Sequence, residues 1–311
     1  VQRFTANLNS TFKISKKLEF NLISNASYRK QKAPGTLGSE TDAVSGEVKR
    51  DFDINPYSYS MNTSRTLSPN EYYTRNYAPF NIFNELENNY MKLGVTDFRL
   101  TGRLTYKPIS KLELSILAGM QSTTTSQEHY ITDNSNQAQA YRAMPTSTIR
   151  EKNPLLYTDP DNIYALPISI LPNGGIYERT DRNMFKWDMR ASISYNDVFN
   201  DDHIVNFYGG METNSVDRHS TWFRGWGLQY TMGEVPNYAY QVFKKGQEDN
   251  SEYYNLTNKQ ERSAAFFGNA TYSYQGKYTI NGTVRYEGTN SLGKSRSARW
   301  LPTWNVAASW N

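Results

Sequence analysis

Strict alternation of apolar and polar side chains, in stretches that come two by two, constrains this chain more than any other feature. Phe4, Ala6, Leu8 and Phe12 share one parity, while Thr5, Asn7, Asn9 and Thr11 share the other. After a brief turn at 13–17, Leu18, Phe20, Leu22, Ala26 and Tyr28 resume the apolar parity. A period of two belongs to a β-strand with one dry and one wet face. This first pair runs about 2–29, and further pairs fall at about 96–124, 184–216 and 263–287. A ninth strand opens near residue 303. Between the pairs lie irregular stretches at about 30–95, 125–183, 217–262 and 288–300. Antiparallel strands with short turns at one end and long loops at the other are the build of a transmembrane β-barrel.

Strand length and the placement of aromatics carry the same reading. Residues 18 to 28 span ten steps, which at about 3.3 Å each and a tilt near 40° rise roughly 25 Å, the height of a barrel's apolar band. Strands of soluble proteins are usually shorter. Phe12, Tyr106, Tyr195 and Tyr274 each sit where a strand reaches its short turn. Aromatics at that height form a girdle at the lipid–water boundary. The competing assignment, ordinary core aromatics, is weakened because the position recurs in all four pairs. The two turn sequences "FKISKKLEF" (12–20) and "YKPISKLEL" (106–114) also repeat each other.

Composition narrows the class. Only 37% of the 311 residues are hydrophobic, and the mean hydropathy is −0.75. No apolar run approaches the ~18 residues of a membrane-crossing helix. A β-barrel tolerates such polarity, since only alternate strand residues meet lipid. The net charge is +4 and its Lys and Arg are dispersed, which argues against a nucleic-acid partner. With no Cys, disulfide scaffolds, thiol catalysis and zinc–thiolate clusters drop out. The sequence opens at Val1 on a strand rather than on a signal-peptide pattern, and both ends read as strands in progress, so a fragment of a longer protein is expected.

Chemistry-bearing motifs are sparse. "GTNSLGKS" (288–295) matches the phosphate-binding loop pattern, but that loop needs a buried strand before it and a helix after it. The strand before it alternates with polar residues and "RSARWLPTW" follows, so it reads as a Gly-rich loop. His129, His203 and His219 lie at no metal-ligand spacing, and Asp197, Asp201 and Asp202 read as a hairpin turn rather than a Ca²⁺ site. Neither a catalytic grouping nor a cofactor site emerges, and a non-enzymatic chain is expected. "NIFNELENNYMK" (81–92) places Phe83, Leu86 and Tyr90 at helical spacing, so a short helix packed on the barrel rim is expected there. The loops are rich in Asn, Ser, Thr, Tyr, Pro and Gly, and loops this long in a compact domain are normally functional or disordered. Tyr57, Tyr72, Tyr73, Tyr77, Trp222 and Trp226 are the candidate residues for contact with a substrate or a covering partner. Aromatic faces suit both sugars and peptides, and loop packing explains the same residues.

Two stretches resemble a known family. They are "NPYSYSMNTSRTLSPNEYYTRNYAPFNIFNELENNY" (55–90) and "RSAAFFGNATYSYQGKYTINGTVRYEGTNSLGKSRSARWLPTWNVAASW" (262–310). In the second, a tyrosine-rich hairpin with a Gly-Lys-Tyr turn is followed by Arg-x-Glu-Gly, a Gly-Lys loop and Trp-x-Pro. Both look like the barrel region of SusC/RagA-type TonB-dependent transporters of Bacteroidetes outer membranes. Glu287 stands where that family often has Asp, and Leu301 where an aromatic is common. The resemblance implies about nine strands of a 22-stranded barrel in the Gram-negative outer membrane, with the plug domain absent from this chain. It also implies a SusD-like lipoprotein lid, TonB acting through the missing N-terminal region, and a glycan or peptide substrate. Contact with outer-membrane lipid and a dimer of transporter–lid pairs are implied as well. The alternatives are a passive porin or barrel adhesin, and a secreted soluble all-β binding protein. The soluble alternative requires Phe4, Leu8, Phe20, Leu22, Leu114 and Ile116 to be buried against a second sheet.

Overall fold

A computed structural model of the chain describes residues 1–35, 40–41, 48–49, 52–162, 164–293 and 299–310. Nine long strands form one sheet in chain order, each antiparallel to the next. They are β1 (Gln2–Lys13), β2 (Leu18–Pro34), β3 (Asn89–Ile109), β4 (Leu112–Ile131) and β5 (Gly175–Phe199), then β6 (His203–Gln229), β7 (Tyr254–Tyr274), β8 (Tyr278–Thr289) and β9 (Trp300–Trp310). The short turns fall at 14–17, 110–111, 200–202 and 275–277, all at one end of the sheet. Asn200, Asp201, Gln275 and Gly276 take the positive φ that tight hairpins demand.

The register keeps one face apolar across the whole sheet. One cross-strand row reads Phe12, Phe20, Leu104, Ile116, Ala191, Met211, Phe266, Tyr286 and Pro302, one residue from each strand. The next row reads Lys13, Glu19, Thr105, Ser115, Ser192, Gly210, Phe267, Arg285 and Thr303. A slip of one residue in any pair would move a strand's apolar set to the wet face. Among the described residues nothing covers the apolar face: Phe4 is 66% exposed, Leu8 53%, Ile116 49% and Trp304 77%. The soluble alternative requires Phe4, Leu8, Leu114 and Ile116 to be buried against a second sheet, and among the described residues no second sheet covers them. No described helix is long and apolar enough to cross a membrane. The sheet is a segment of an antiparallel transmembrane β-barrel.

Aromatics gather on this face beside the short turns. Phe12 stacks on Phe20 with ring centroids 6.2 Å apart, and Tyr278 on Trp310 at 6.3 Å. His203 lies between Tyr272 and Tyr274. Tyr106 and Tyr274 are exposed. The Tyr195 hydroxyl donates to Asp197 Oδ2 at 2.7 Å, and Lys111 Nζ reaches the other carboxylate oxygen at 2.7 Å. The Asp-rich turn is thus held by a lysine and a tyrosine.

The strands run on past the lengths that alternation suggests. The hairpin expected at 184–216 spans β5 and β6, from Gly175 to Gln229. Above the apolar band neither face meets the hydrocarbon layer, so the period of two disappears while the hydrogen-bond ladder continues. The packed core sits at the long-loop end. Phe52, Ala78 and Ala140 form one cluster, Ile54, Phe80 and Ile82 a second, and Ile131, Ala138, Leu171 and Ile176 a third. Short helices α1 (Pro56–Asn62), α2 (Ile82–Asn88), α3 (Asn136–Ala140) and α4 (Ser147–Lys152) belong to this crown. Asn81 caps α2 by accepting from the amides of Phe83 and Asn84. The helix expected at 81–92 ends at Asn88, and Tyr90 belongs to β3 instead. Asn89 is extended and breaks the helical spacing. Lys294 and Ser295 of the Gly-rich loop lie outside the described residues.

A charge on the apolar face near mid-strand should cost ~2–4 kcal/mol in a bilayer. Ile116→Arg is therefore expected to lower unfolding free energy by that amount in lipid vesicles. Ser115→Arg, one residue away on the wet face, should change it by less than about 1 kcal/mol. Denaturant titration in vesicles measures both, and equal losses would overturn the assignment of faces.

Candidate functional site

At the crown, the wet face of β6 carries Trp222, Arg224 and Trp226 on alternate positions. The Arg224 guanidinium lies 5.3 Å from the Trp222 ring centre and 5.8 Å from that of Trp226. Its Nε donates to Glu178 Oε1 at 2.6 Å, and Glu178 stands directly opposite on β5. Cation, carboxylate and two indoles thus share one patch. Tyr141 meets Trp226 edge-on at 5.3 Å, a favoured aromatic geometry.

Two glycines allow this approach. Gly227 has φ of +78°, and the register of β5 and β6 shifts between Trp226 and Leu228. A Cβ at Gly227 would stand 1.9 Å from the Asn237 carbonyl oxygen, and one at Gly174 would stand 2.6 Å from the Gly227 carbonyl carbon. The crown segment before β5 and the segment after β6 therefore close on the strand end at a point that no side chain could share.

A cavity of about 410 Å³ opens beside Trp226. Tyr141, Leu155, Ile170, Arg224, Trp226, Phe243 and Tyr253 are among the residues that line it. Phe243 belongs to α5 (Tyr240–Glu248), which roofs the cavity. Lys244 pins α5 to the loop before β5. Its Nζ lies 2.6 Å from Asp159, 3.2 Å from Asp161 and 3.8 Å from Glu248. Asp159, Asp161 and Glu248 are close enough to hold a metal ion, but the lysine ammonium already occupies the centre of the group. The hydrogen bond to Lys244 holds the Asp159 carboxyl below the usual carboxylate range. Tyr157 donates to Glu248 at 2.9 Å, and burial together with that carboxylate pushes its hydroxyl up to about 12.

A second cavity, about 550 Å³, lies lower on the wet face. Glu212 binds Arg190 and Arg285 at 2.6 Å each, and Arg285 also binds Glu287 at 2.6 Å. This wall is ionic, whereas the crown cavity is aromatic.

The six aromatics singled out in the sequence are not gathered together. Trp226 lines the crown cavity, and Trp222 joins it through Arg224. Tyr57 on α1 and Tyr72 are exposed elsewhere on the crown. Tyr73 packs on Phe80 at 5.2 Å. Tyr77 is held in the left-handed region and hydrogen-bonds the Lys152 carbonyl. Sequence reasoning missed Arg224, Glu178 and Tyr141. The alternation Trp-x-Arg-x-Trp was a usable signal for the first, but nothing local marks the others.

Behind the cavity the crown is joined by buried polar bonds. Glu85 of α2 is fully buried, and both carboxylate oxygens accept from the Asn136 amide, at 2.8 and 3.0 Å. The Asn136 side chain donates to the carbonyls of Arg75, Ala78 and Pro79. His129, Asn89 and Gln137 continue the network. Burial pushes the Glu85 carboxyl up to about 7, partly offset by the Asn136 amide.

No protein-family profile and no curated protein matches the sequence. Solved structures do match in fold. The RagAB peptide transporter superposes over 98% of this chain and 29% of its own, at 13% identity and a TM-score of 0.60. The RagAB peptide importer in its closed-closed state matches over the same shares at 14% identity and a TM-score of 0.62. The chain spans under a third of those transporters' length, and the likeness is one of fold: an antiparallel wall of long strands joined by long loops.

Glu85 yields a signed pH dependence. Its folded value is raised, so the stability it allows is complete below about 4.5 and is lost as pH rises through about 7. The loss is on the order of 2–3 kcal/mol for the crown. Amides of α3, corrected for intrinsic exchange, should therefore exchange faster at pH 8 than at pH 5.5. Glu85→Gln should flatten the difference, and an unchanged pH dependence in that variant would contradict the assignment.

Proposed function

We propose that this chain is part of the barrel wall of a TonB-dependent outer-membrane importer working with a SusD-like surface lipoprotein. The short turns then face the periplasm, and the crown faces outside, where it meets lid and substrate. The observation that carries this reading is the nine-strand meander, dry outside and wet inside, whose fold is shared with RagAB over 98% of the chain. A SusC/RagA-type origin in Bacteroidetes and a dimer of transporter–lid pairs fit the same reading. The imported nutrient would be an oligosaccharide or a peptide, held at the crown cavity by Trp226 and Trp222, with Arg224 and Glu178 supplying charge-assisted hydrogen bonds. Tyr57, Tyr72 and Tyr77 lie on the crown surface that a lid would meet, while Tyr73 supports it from beneath. Energy would come through TonB from the inner membrane, and the chain performs no catalysis.

Deleting the parent gene should abolish uptake of the cognate nutrient, and collapsing the proton-motive force should do the same. Trp226→Ala should raise the half-saturating concentration about tenfold or more, in line with the ~1–3 kcal/mol of a stacked aromatic wall. The protein should still run as a heat-modifiable band in detergent. Uptake that survives collapse of the proton-motive force would favour the passive porin. No uptake phenotype, with adhesion lost instead, would favour the adhesin.

A further inference from the structure

Cations gather on the outward face just above its apolar band. On β2 the last outward aromatic is Tyr28, and the next outward positions are Lys30 and Lys32. At barrel tilt they stand about 5 and 10 Å higher, at the level of lipid headgroups. Lys32 is directly opposite Lys92 on β3, and Lys30 is directly opposite Gly94. Like charges facing each other across a ladder are destabilising. Yet none of the three lysines makes an ion pair with a described residue.

One outward row farther from the apolar band than Lys32 and Lys92 lies an aromatic shelf. Tyr90 and Tyr130 stack at 5.1 Å, and Tyr177 meets Tyr130 edge-on at 5.3 Å. Lys32 Nζ is 4.0 Å from the Tyr90 ring centre, and Lys92 Nζ is 4.3 Å from that of Tyr130. The rings hold the lysines near the wall without neutralising them. Among the described residues, the acidic groups nearby are otherwise engaged or apart. Glu128, opposite Lys92, accepts from Tyr177 and lies 3.8 Å from Arg179, and Asp181 binds Arg179 at 2.7 Å. Glu234 lies near Tyr90 and Tyr130 but pairs with neither lysine.

We propose that Lys32 and Lys92, held against Tyr90 and Tyr130, form with Lys30 one row below a seat for the phosphate of an anionic lipid headgroup in the outer leaflet. Phosphate oxygens would bridge the facing ammonium groups and remove their repulsion, while the acyl chains lie along Phe98, Leu100 and Leu104 below. The three lysines then anchor the wall at a fixed height, each adding surface attraction to anionic lipid. This assignment rests on the outer-membrane reading above.

The test uses the full-length transporter, delipidated in a zwitterionic detergent and incubated with bisphosphorylated lipid A, with the same lipid stripped of phosphate, or with inorganic phosphate. Native mass spectrometry counts what stays bound. Phosphorylated lipid should bind the native protein about 100-fold more tightly than the Lys30→Gln/Lys32→Gln/Lys92→Gln variant, the combined effect of three lysines. The matching Arg variant should retain binding. Equal binding of the two lipids, or equal binding by the Gln variant, would overturn the proposal in favour of a purely apolar annulus. Inorganic phosphate binding as tightly as the lipid would overturn the assignment to a headgroup. The Gln variant should keep its heat-modifiable band and its nutrient uptake. Lost lipid binding with uptake intact supports the seat. A native protein that is neither heat-modifiable nor active in uptake would instead reject the outer-membrane reading on which the seat rests.

Discussion

The hydrogen-bonded ladder of nine strands, held in one register, is what the rest of the molecule depends on. It satisfies the backbone donors and acceptors of each interior strand from its neighbours, the condition for crossing a hydrocarbon layer. Because the pleat sends neighbouring side chains to opposite faces, one register fixes two surfaces at once. The row from Phe12 to Pro302 and the row from Lys13 to Thr303 are adjacent in sequence, yet they meet different solvents. Stability in such a wall comes from outward side chains exchanging water for lipid rather than from a packed interior. That is why Phe4, Leu8 and Ile116 are uncovered while Phe80 and Leu171, far from the apolar band, are fully buried.

The ladder also explains how the crown is built. Past the apolar band the strands keep pairing, so β5 and β6 carry Glu178, Arg224 and Trp226 up to the loops as rigid posts. Loops that would be costly to order by themselves pack against those posts and against one another. Ile131 and Ile176, paired across β4 and β5, end the wall and begin the loop core in the same residues. The cavity exists because rigid strand ends and short helices meet there without interdigitating.

This division decides what the sequence could reveal. The wall was legible because lipid on one side and water on the other write a period of two, and the turns at 13–17 and 275–276 punctuate it. The girdle residues Phe12, Tyr106, Tyr195 and Tyr274 were legible for the same reason. Above the band the cause of the alternation is gone, so the upper parts of β5 and β6 were not. Glu178, Arg179, Asp181 and Arg182 pair normally but carry no pattern. The loop core was illegible for a different reason: Phe52, Phe80 and Leu171 meet through contacts far apart in sequence, and no period joins them. Tyr90 followed Phe83 and Leu86 at helical spacing, but Asn88 and Asn89 stop the helix, and β3 claims the tyrosine. Trp222 and Trp226 stood out as aromatics, whereas their role depends on Arg224 between them and Glu178 across the ladder.

The crown is held together by two unlike kinds of bond, and the difference orders its parts by stability. Glu85, Asn136, His129, Asn89 and Gln137 make a buried network in which removing any member leaves a desolvated polar group. Gly35 abuts Asn89 so closely that a Cβ would overlap its side chain, so the first long loop is seated on that network without slack. The α5 roof, by contrast, is tied down mainly by Lys244 and its carboxylates, with Asp161 in open solvent. Of these pairs, the one to exposed Asp161 contributes little and weakens with salt. Local opening draws on the least stable contacts first. The buried network ties the wall to the crown segments around α2 and α3, whereas α5 reaches the crown through Lys244, the Tyr157–Glu248 hydrogen bond and the Phe243–Tyr253 contact.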